Sequence, residues 1–118
     1  MTAYDVLQKS LKLLGYTANN GNEQLTARLM NRAVELINTV YEDVSREEEH
    51  IPISSLDDEI KLPEKAIIVM PYGVAAFIAQ SENDGDQQQL WMTIYNRKRR
   101  TLGRSVLKTD SLPQSSDL

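Results

Sequence analysis

The stretch between Lys65 and Glu82 contains no charged residue, and it limits the fold more than any other part of the chain. A helix without charge around its circumference must be covered by protein on most sides, so we predict a central helix at about 63–81. Its apolar part is shorter than the roughly 20 residues that cross a membrane. Pro71 lacks a backbone N–H and clashes with the preceding turn, which predicts a kink or a restart near Met70.

Apolar residues at helical spacing predict three further helices, at about 2–14, 23–47 and 87–102. Thr2 is suited to cap the first helix and Gly15 to end it. The second helix carries two adjacent apolar stripes, which suits contacts with two neighbours. The last helix has Leu90, Trp91, Ile94, Tyr95 and Leu102 as its expected buried positions. With 118 residues, the chain is predicted to be all-α, a small bundle of about four helices in one domain over 1–103.

Two segments depart from the helical period. Ile51 and Ile53, then Ile60 and Leu62, alternate around a polar turn, a pattern compatible with a short β-hairpin before the third helix. Beyond Gly103 the chain is rich in serine and shows no sustained period. We therefore predict that residues 104–118 form a mobile C-terminal tail in the free monomer.

Charge is distributed unevenly along the chain. Residues 1–96 contain 7 Lys/Arg against 15 Asp/Glu, whereas residues 97–118 contain 6 against 2, and the balances of −8 and +4 give the net charge of −4. Acidic residues gather at the end of the second helix, among them Glu42 and Asp43. A molecule with an acidic body and a basic end can associate with copies of itself or with an acidic partner.

Six cations form the predicted partner-binding site: Arg97, Lys98, Arg99, Arg100, Arg104 and Lys108. An alternative explanation is a solvated helix end whose cations offset the helix dipole. A second alternative is nucleic-acid binding, with Trp91 and Tyr95 stacking on bases beside the basic residues. We favour core packing for both aromatics, because Leu90 and Ile94 extend the same stripe.

Composition argues against an enzyme. The chain has no cysteine and a single histidine, which excludes thiolate nucleophiles, zinc sites built on sulfur and multi-histidine metal sites. No phosphate-binding glycine loop or nucleophile motif occurs. We expect no catalytic residue, no cofactor and no metal.

Three segments together resemble a known family. They are Leu56–Pro63, the small and apolar Tyr72–Ala79, and Leu90–Arg100, which ends in Tyr-Asn followed by a basic run. In this order they resemble the small head-to-tail connector (adaptor) proteins of tailed bacteriophages. The first and second helices are also similar to members of that family, so the resemblance covers about residues 1–102.

The resemblance implies a structural virion protein of the phage neck, made in the cytoplasm of the bacterial host. Such proteins are helical bundles that form a homo-oligomeric ring, commonly of twelve subunits, beneath the portal after genome packaging. The ring extends the DNA channel and offers a platform to stopper or tail proteins. The C-terminal segment often reaches the portal, which here corresponds to the chain from Arg97 onward. The other hypothesis is a small helical nucleic-acid-binding or regulatory protein that uses the basic segment 97–104.

Overall fold

A computed structural model describes residues 1–15, 23–45 and 51–110, with only the backbone for 23–29 and 103–110. These residues form five helices and no strand: α1 (Ala3–Leu13), α2 (Glu23–Ser45), α3 (Glu64–Ile67), α4 (Met70–Ser81) and α5 (Gly85–Asp110). The predicted all-α class is therefore confirmed. None of the helices in this part of the chain is long and apolar enough to cross a bilayer.

α1 begins and ends as its sequence predicts. The Thr2 hydroxyl accepts the backbone N–H of Asp5 at 3.2 Å, and the Asp5 carboxylate accepts the N–H of Thr2 at 3.0 Å. This reciprocal capping box satisfies two N–H groups that a helix start leaves without partners. The same bonds to Thr2 lower the pKa of Asp5. At the other end Gly15 has a φ of +81°, a conformation that glycine adopts without strain.

The predicted third helix is two helices, α3 and α4, separated by Ile68 and Val69. The restart falls at Met70, as Pro71 predicts, and Pro71 occupies the first turn of α4, where a missing N–H costs no hydrogen bond. The buried Ser10 hydroxyl of α1 lies within hydrogen-bond distance of two carbonyl oxygens, that of Val6 at 2.9 Å and that of Pro71 at 3.1 Å. The contact with Pro71 ties α1 to α4.

α4 is the central element of the bundle. Eight of its residues are buried, and it packs against α1, α2, α3 and α5. α2 packs against both α4 and α1, in agreement with its two apolar stripes. The shared core includes Leu7, Ile37, Met70 and Ile78, each fully enclosed. Eight of the 12 residues of α4 are buried, which agrees with the absence of charge from this helix.

The β-hairpin considered for residues 51–62 is not confirmed. This segment is a loop, and its one β-bridge joins Glu59 to Thr2. Side chains satisfy backbone groups that a partner strand would otherwise satisfy. The Asn38 side-chain amide bonds both the N–H and the carbonyl of Ile53 at 2.9 Å, and the Tyr41 hydroxyl accepts the N–H of Lys61. The alternating isoleucines reflect two buried anchors, Ile53 and Ile60.

Asp58 organises the turn of this loop, and we expect the protein to lose stability in acid partly through it. Its carboxylate accepts the backbone N–H groups of Ser54 and Ser55, which lower its pKa. A lowered pKa in the folded state contributes stability above the unfolded pKa, and that contribution is lost as the pH falls through the folded value. Asp58→Asn should unfold more easily at neutral pH and respond less to acid, as measured by thermal melts across pH. Asp57→Asn is the control and should follow the wild-type profile.

α5 ends at Asp110, eight residues later than the predicted end at 102. One glycine inside a helix costs only about 1 kcal/mol, and residues 104–110 contain no proline, so Gly103 does not stop the helix. The boundary between a helical domain and a tail at 103/104 therefore falls within a continuous helix. Residues 111–118 lie outside the described residues, and the mobility of the tail stays a prediction.

Candidate partner-binding site

The predicted site lies on α5. The position of α5 is fixed by its close packing against α4. The Gly73 backbone lies under the Tyr95 ring, and a Cβ built at Gly73 would stand 2.7 Å from the nearest ring carbon. Only glycine leaves room for this contact. The small residues of the 72–79 segment thus permit the close helix approach that the sequence predicts.

Tyr95, Asp43 and Arg99 connect α5 to the end of α2. The Tyr95 hydroxyl donates to the Asp43 carboxylate at 2.5 Å, and Arg99 donates to the other carboxylate oxygen at 3.2 Å. Arg99 also donates to the Asn96 side chain and lies over the Tyr95 ring. Burial raises the pKa of Tyr95 far above its usual range, and the hydrogen bond to Asp43 and its negative charge add to this effect.

The six predicted site residues separate into distinct groups. Arg99 is committed to Asp43, and the Lys98 ammonium lies 4.9 Å from the centre of the Tyr72 ring. Arg97 and Arg100 are exposed and form no ion pair within the described residues. The backbone of Arg104 and Lys108 continues the same helix.

The aromatic residues beside the basic run pack inward. Tyr95 is 2% exposed, and half-buried Trp91 donates its indole N–H to Gln87 at 2.7 Å. The Tyr72 and Trp91 rings contact each other with centroids 6.1 Å apart. These contacts agree with core packing for Trp91 and Tyr95. Leu90 differs from its prediction, because it is 49% exposed on the outer side of α5.

An open groove of about 700 Å³ lies between α2, α4 and α5. We call it the polar groove, and it is lined by Thr39, Glu42, Asp43, Phe77, Met92, Tyr95, Asn96 and Arg99. Phe77 and Met92 supply apolar lining, while Glu42 and Asp43 of α2 supply acid. Glu42 is exposed there and, like Glu35 two turns earlier, forms no ion pair within the described part of the chain.

Sequence reasoning missed the role of Asp43 and the groove itself. Asp43 and Arg99 are 56 positions apart, and no local spacing relates them. Acidic residues at the C-terminal end of α2 are unfavourable for the helix dipole. This mismatch is the one signal in the sequence that another element neutralises them. Among the described residues no three His, Cys, Asp or Glu side chains gather in an arrangement suited to a metal ion.

No protein-family model, curated protein or solved structure matches this chain. Membership of the connector family therefore stays a prediction from the residues quoted above.

Proposed function

We propose that this chain is a structural subunit of the head-to-tail connector of a tailed bacteriophage. Copies form a ring in the virion neck that binds the portal protein on one side and stopper or tail proteins on the other, with DNA passing through its channel. The observation that carries the proposal is the exposed pair Arg97 and Arg100 on α5, in the segment where the resemblance locates portal contact. The helical bundle and the acidic edge of α2 also support it.

The test is to mix the purified protein with the portal protein of the same phage and to image the mixture by electron microscopy. Portal rings with added density beneath them are expected. A protein that never decorates the portal, at any ratio or salt concentration, contradicts the proposal.

Arg97→Ala together with Arg100→Ala should leave the melting temperature unchanged and reduce portal decoration. Both side chains are exposed and form no ion pair within the described residues, so their loss should weaken binding to a partner without changing stability. A Kd for the portal about tenfold or more higher is expected, measured by biolayer interferometry. Arg99 is left intact in this variant, because its removal breaks the contact with Asp43 and confuses folding with binding. Equal affinity of the variant and the wild type would remove these residues from the interface.

The same exposed arginines keep nucleic-acid binding as the second candidate function. Phosphate contacts predict affinity for duplex DNA that falls steeply with salt, because each neutralised phosphate releases counterions. A fluorescence anisotropy titration with duplex DNA across NaCl concentrations separates the two candidates. Salt-sensitive DNA binding without portal decoration would favour this second function.

A further inference from the structure

Four of the basic residues of α5 occupy positions on one side of the helix. At 3.6 residues per turn, positions 97, 100, 104 and 108 fall within an arc of about 80°. We call them the cationic line. The described side chains of this line, Arg97 and Arg100, are exposed and make no ion pair within the described residues. Their charges are therefore available to another molecule.

α2 carries two exposed acids on the side that lines the polar groove: Glu42 lines the groove itself, and Glu35 lies two turns before it. Glu35 and Glu42 lie seven residues apart on one side of α2, with Thr39 between them, and all three are exposed. We call Glu35 and Glu42 the acidic rim. Seven residues of helix rise about 10.5 Å, which is also the rise between positions 97 and 104 of the cationic line. The two sets of charges thus have opposite sign.

The two surfaces face different directions. Met92, Asn96 and Arg99 border the groove from α5, and they are centred about 120° around that helix from the cationic line. A single neighbour related by a twofold axis cannot readily cover both surfaces. Contact between different surfaces of successive copies is a heterologous interface, which closes into a ring when the rotation permits.

We propose that copies of this chain associate head to tail, with the cationic line of one copy docked on the acidic rim and polar groove of the next. This inference rests on the proposed function and names the interface that builds the ring. It assigns Arg97 and Arg100 to the neighbouring copy, so their effect on portal decoration comes through assembly of the ring. Charge complementarity identifies a second copy as the occupant: the chain supplies both the acidic groove edge and the cations that fit it. The apolar lining at Phe77 and Met92 adds contact area for an arriving helix.

A charge exchange tests this pairing. One variant carries Arg97→Glu and Arg100→Glu, and the other carries Glu35→Lys and Glu42→Lys. Each alone repels its own copies, so both should sediment as monomers under conditions where the wild type assembles. Mixed together, the reversed cationic line of the first variant meets the reversed rim of the second, and the native line of the second meets the native rim of the first. The mixture should regain the assembly, with the two variants alternating.

The control is Lys9→Glu with Lys12→Glu on α1, where both lysines are exposed. It makes the same change in net charge at the same three-residue spacing, away from both surfaces, and it should assemble like the wild type. Raising NaCl from about 0.1 M to 1 M shortens the Debye length from about 10 Å to 3 Å and should weaken wild-type assembly. Circular dichroism melts confirm that each variant is folded.

Cysteine cross-linking gives an independent measurement, since the chain has no native cysteine. Thr101 lies beside the cationic line and Thr39 lines the groove, and both are exposed. Thr101→Cys mixed with Thr39→Cys should form a disulfide between the two different chains, while neither variant alone should cross-link. Cross-links within a single variant would indicate a twofold interface and overturn the proposal.

Several results contradict this interface. They are a wild type that is monomeric at every concentration, reversal variants that still assemble, a mixture that stays monomeric, or a control that loses assembly. Portal decoration is scored separately. A protein that decorates the portal while the charge exchange fails retains the connector function and loses this interface. A protein that assembles by charge exchange without ever decorating the portal has the interface without the connector function.

Discussion

A Gly73→Ala variant is expected to unfold at a temperature on the order of 10 °C below the wild type, corresponding to a loss of about 2–3 kcal/mol in the free energy of unfolding. The added Cβ would stand 2.7, 2.9 and 3.0 Å from three carbons of the Tyr95 ring. Contacts this short force the ring or the helix to move. Tyr95 is poorly placed to yield, because its ring is buried and its hydroxyl is held by Asp43.

Gly85→Ala is the matched control for this experiment. Gly85 begins α5 and nothing lies within 4 Å of a Cβ built there. Its melting temperature should equal that of the wild type or exceed it slightly, because alanine lowers the entropy of the unfolded chain. Gly73→Leu should be worse than Gly73→Ala and is expected to yield little folded protein.

A double-mutant cycle identifies the ring as the cause. In a Tyr95→Ala background the obstacle is gone, so the further change Gly73→Ala should cost much less than it does in the wild type. Chemical denaturation of the four proteins gives the coupling free energy. Equal costs in both backgrounds would show that Gly73 is required for a reason other than the Tyr95 ring.

The helices can be predicted from the sequence because the signals that start, break and bury each helix lie within its own residues. Thr2 and Asp5 are three residues apart and meet in one turn, and Pro71 interrupts hydrogen bonds to its immediate neighbours. A uniformly apolar run must be buried wherever the chain takes it. These features depend on spacings of a few residues, and they give the all-α class, the capped start of α1 and the restart at Met70.

The groove and the fate of each cation depend on contacts between distant parts of the chain. Lys98, Arg99 and Arg100 are consecutive, yet one lies over Tyr72, one pairs with Asp43 and one is exposed. Helical geometry predicts that three consecutive residues point in different directions. Which of the three side chains reaches an acidic residue depends on how α5 packs beside α2. No pattern of nearby residues in the sequence determines that packing. The loop at 51–62 has the same origin, since Asn38 of α2 supplies its partner.

Asp43→Ala is expected to lower the free energy of unfolding by about 1–3 kcal/mol, although the Asp43 side chain is 42% exposed. The larger part comes from Tyr95, whose buried hydroxyl loses its acceptor. The ion pair with Arg99 contributes at most about 1 kcal/mol, because both side chains are partly exposed and water screens the pair. Urea denaturation at neutral pH and low salt measures the total.

Tyr95→Phe and Asp43→Asn separate these contributions. Tyr95→Phe removes the hydroxyl itself, so no buried donor is left without an acceptor. We therefore expect it to lower the free energy of unfolding by about 1 kcal/mol, less than Asp43→Ala. Asp43→Asn retains an oxygen acceptor for the hydroxyl and removes the charge, so its cost should also be smaller. In a Tyr95→Phe background Asp43→Ala should lose only the ion-pair part. Full additivity of the two changes would contradict a shared hydrogen bond.

Alkaline pH provides the last check on this contact. The pKa of Tyr95 is raised in the folded state, so folding keeps the proton on its hydroxyl. Stability linked to this group is complete below the ordinary tyrosine pKa of about 10 and declines as the pH rises above it, where the unfolded chain releases the proton first. Asp43→Asn removes the negative charge beside the hydroxyl, so Tyr95 should ionise at lower pH in this variant. Ultraviolet difference titration follows the tyrosines directly, and an unchanged titration in Asp43→Asn would mean that burial alone raises the pKa.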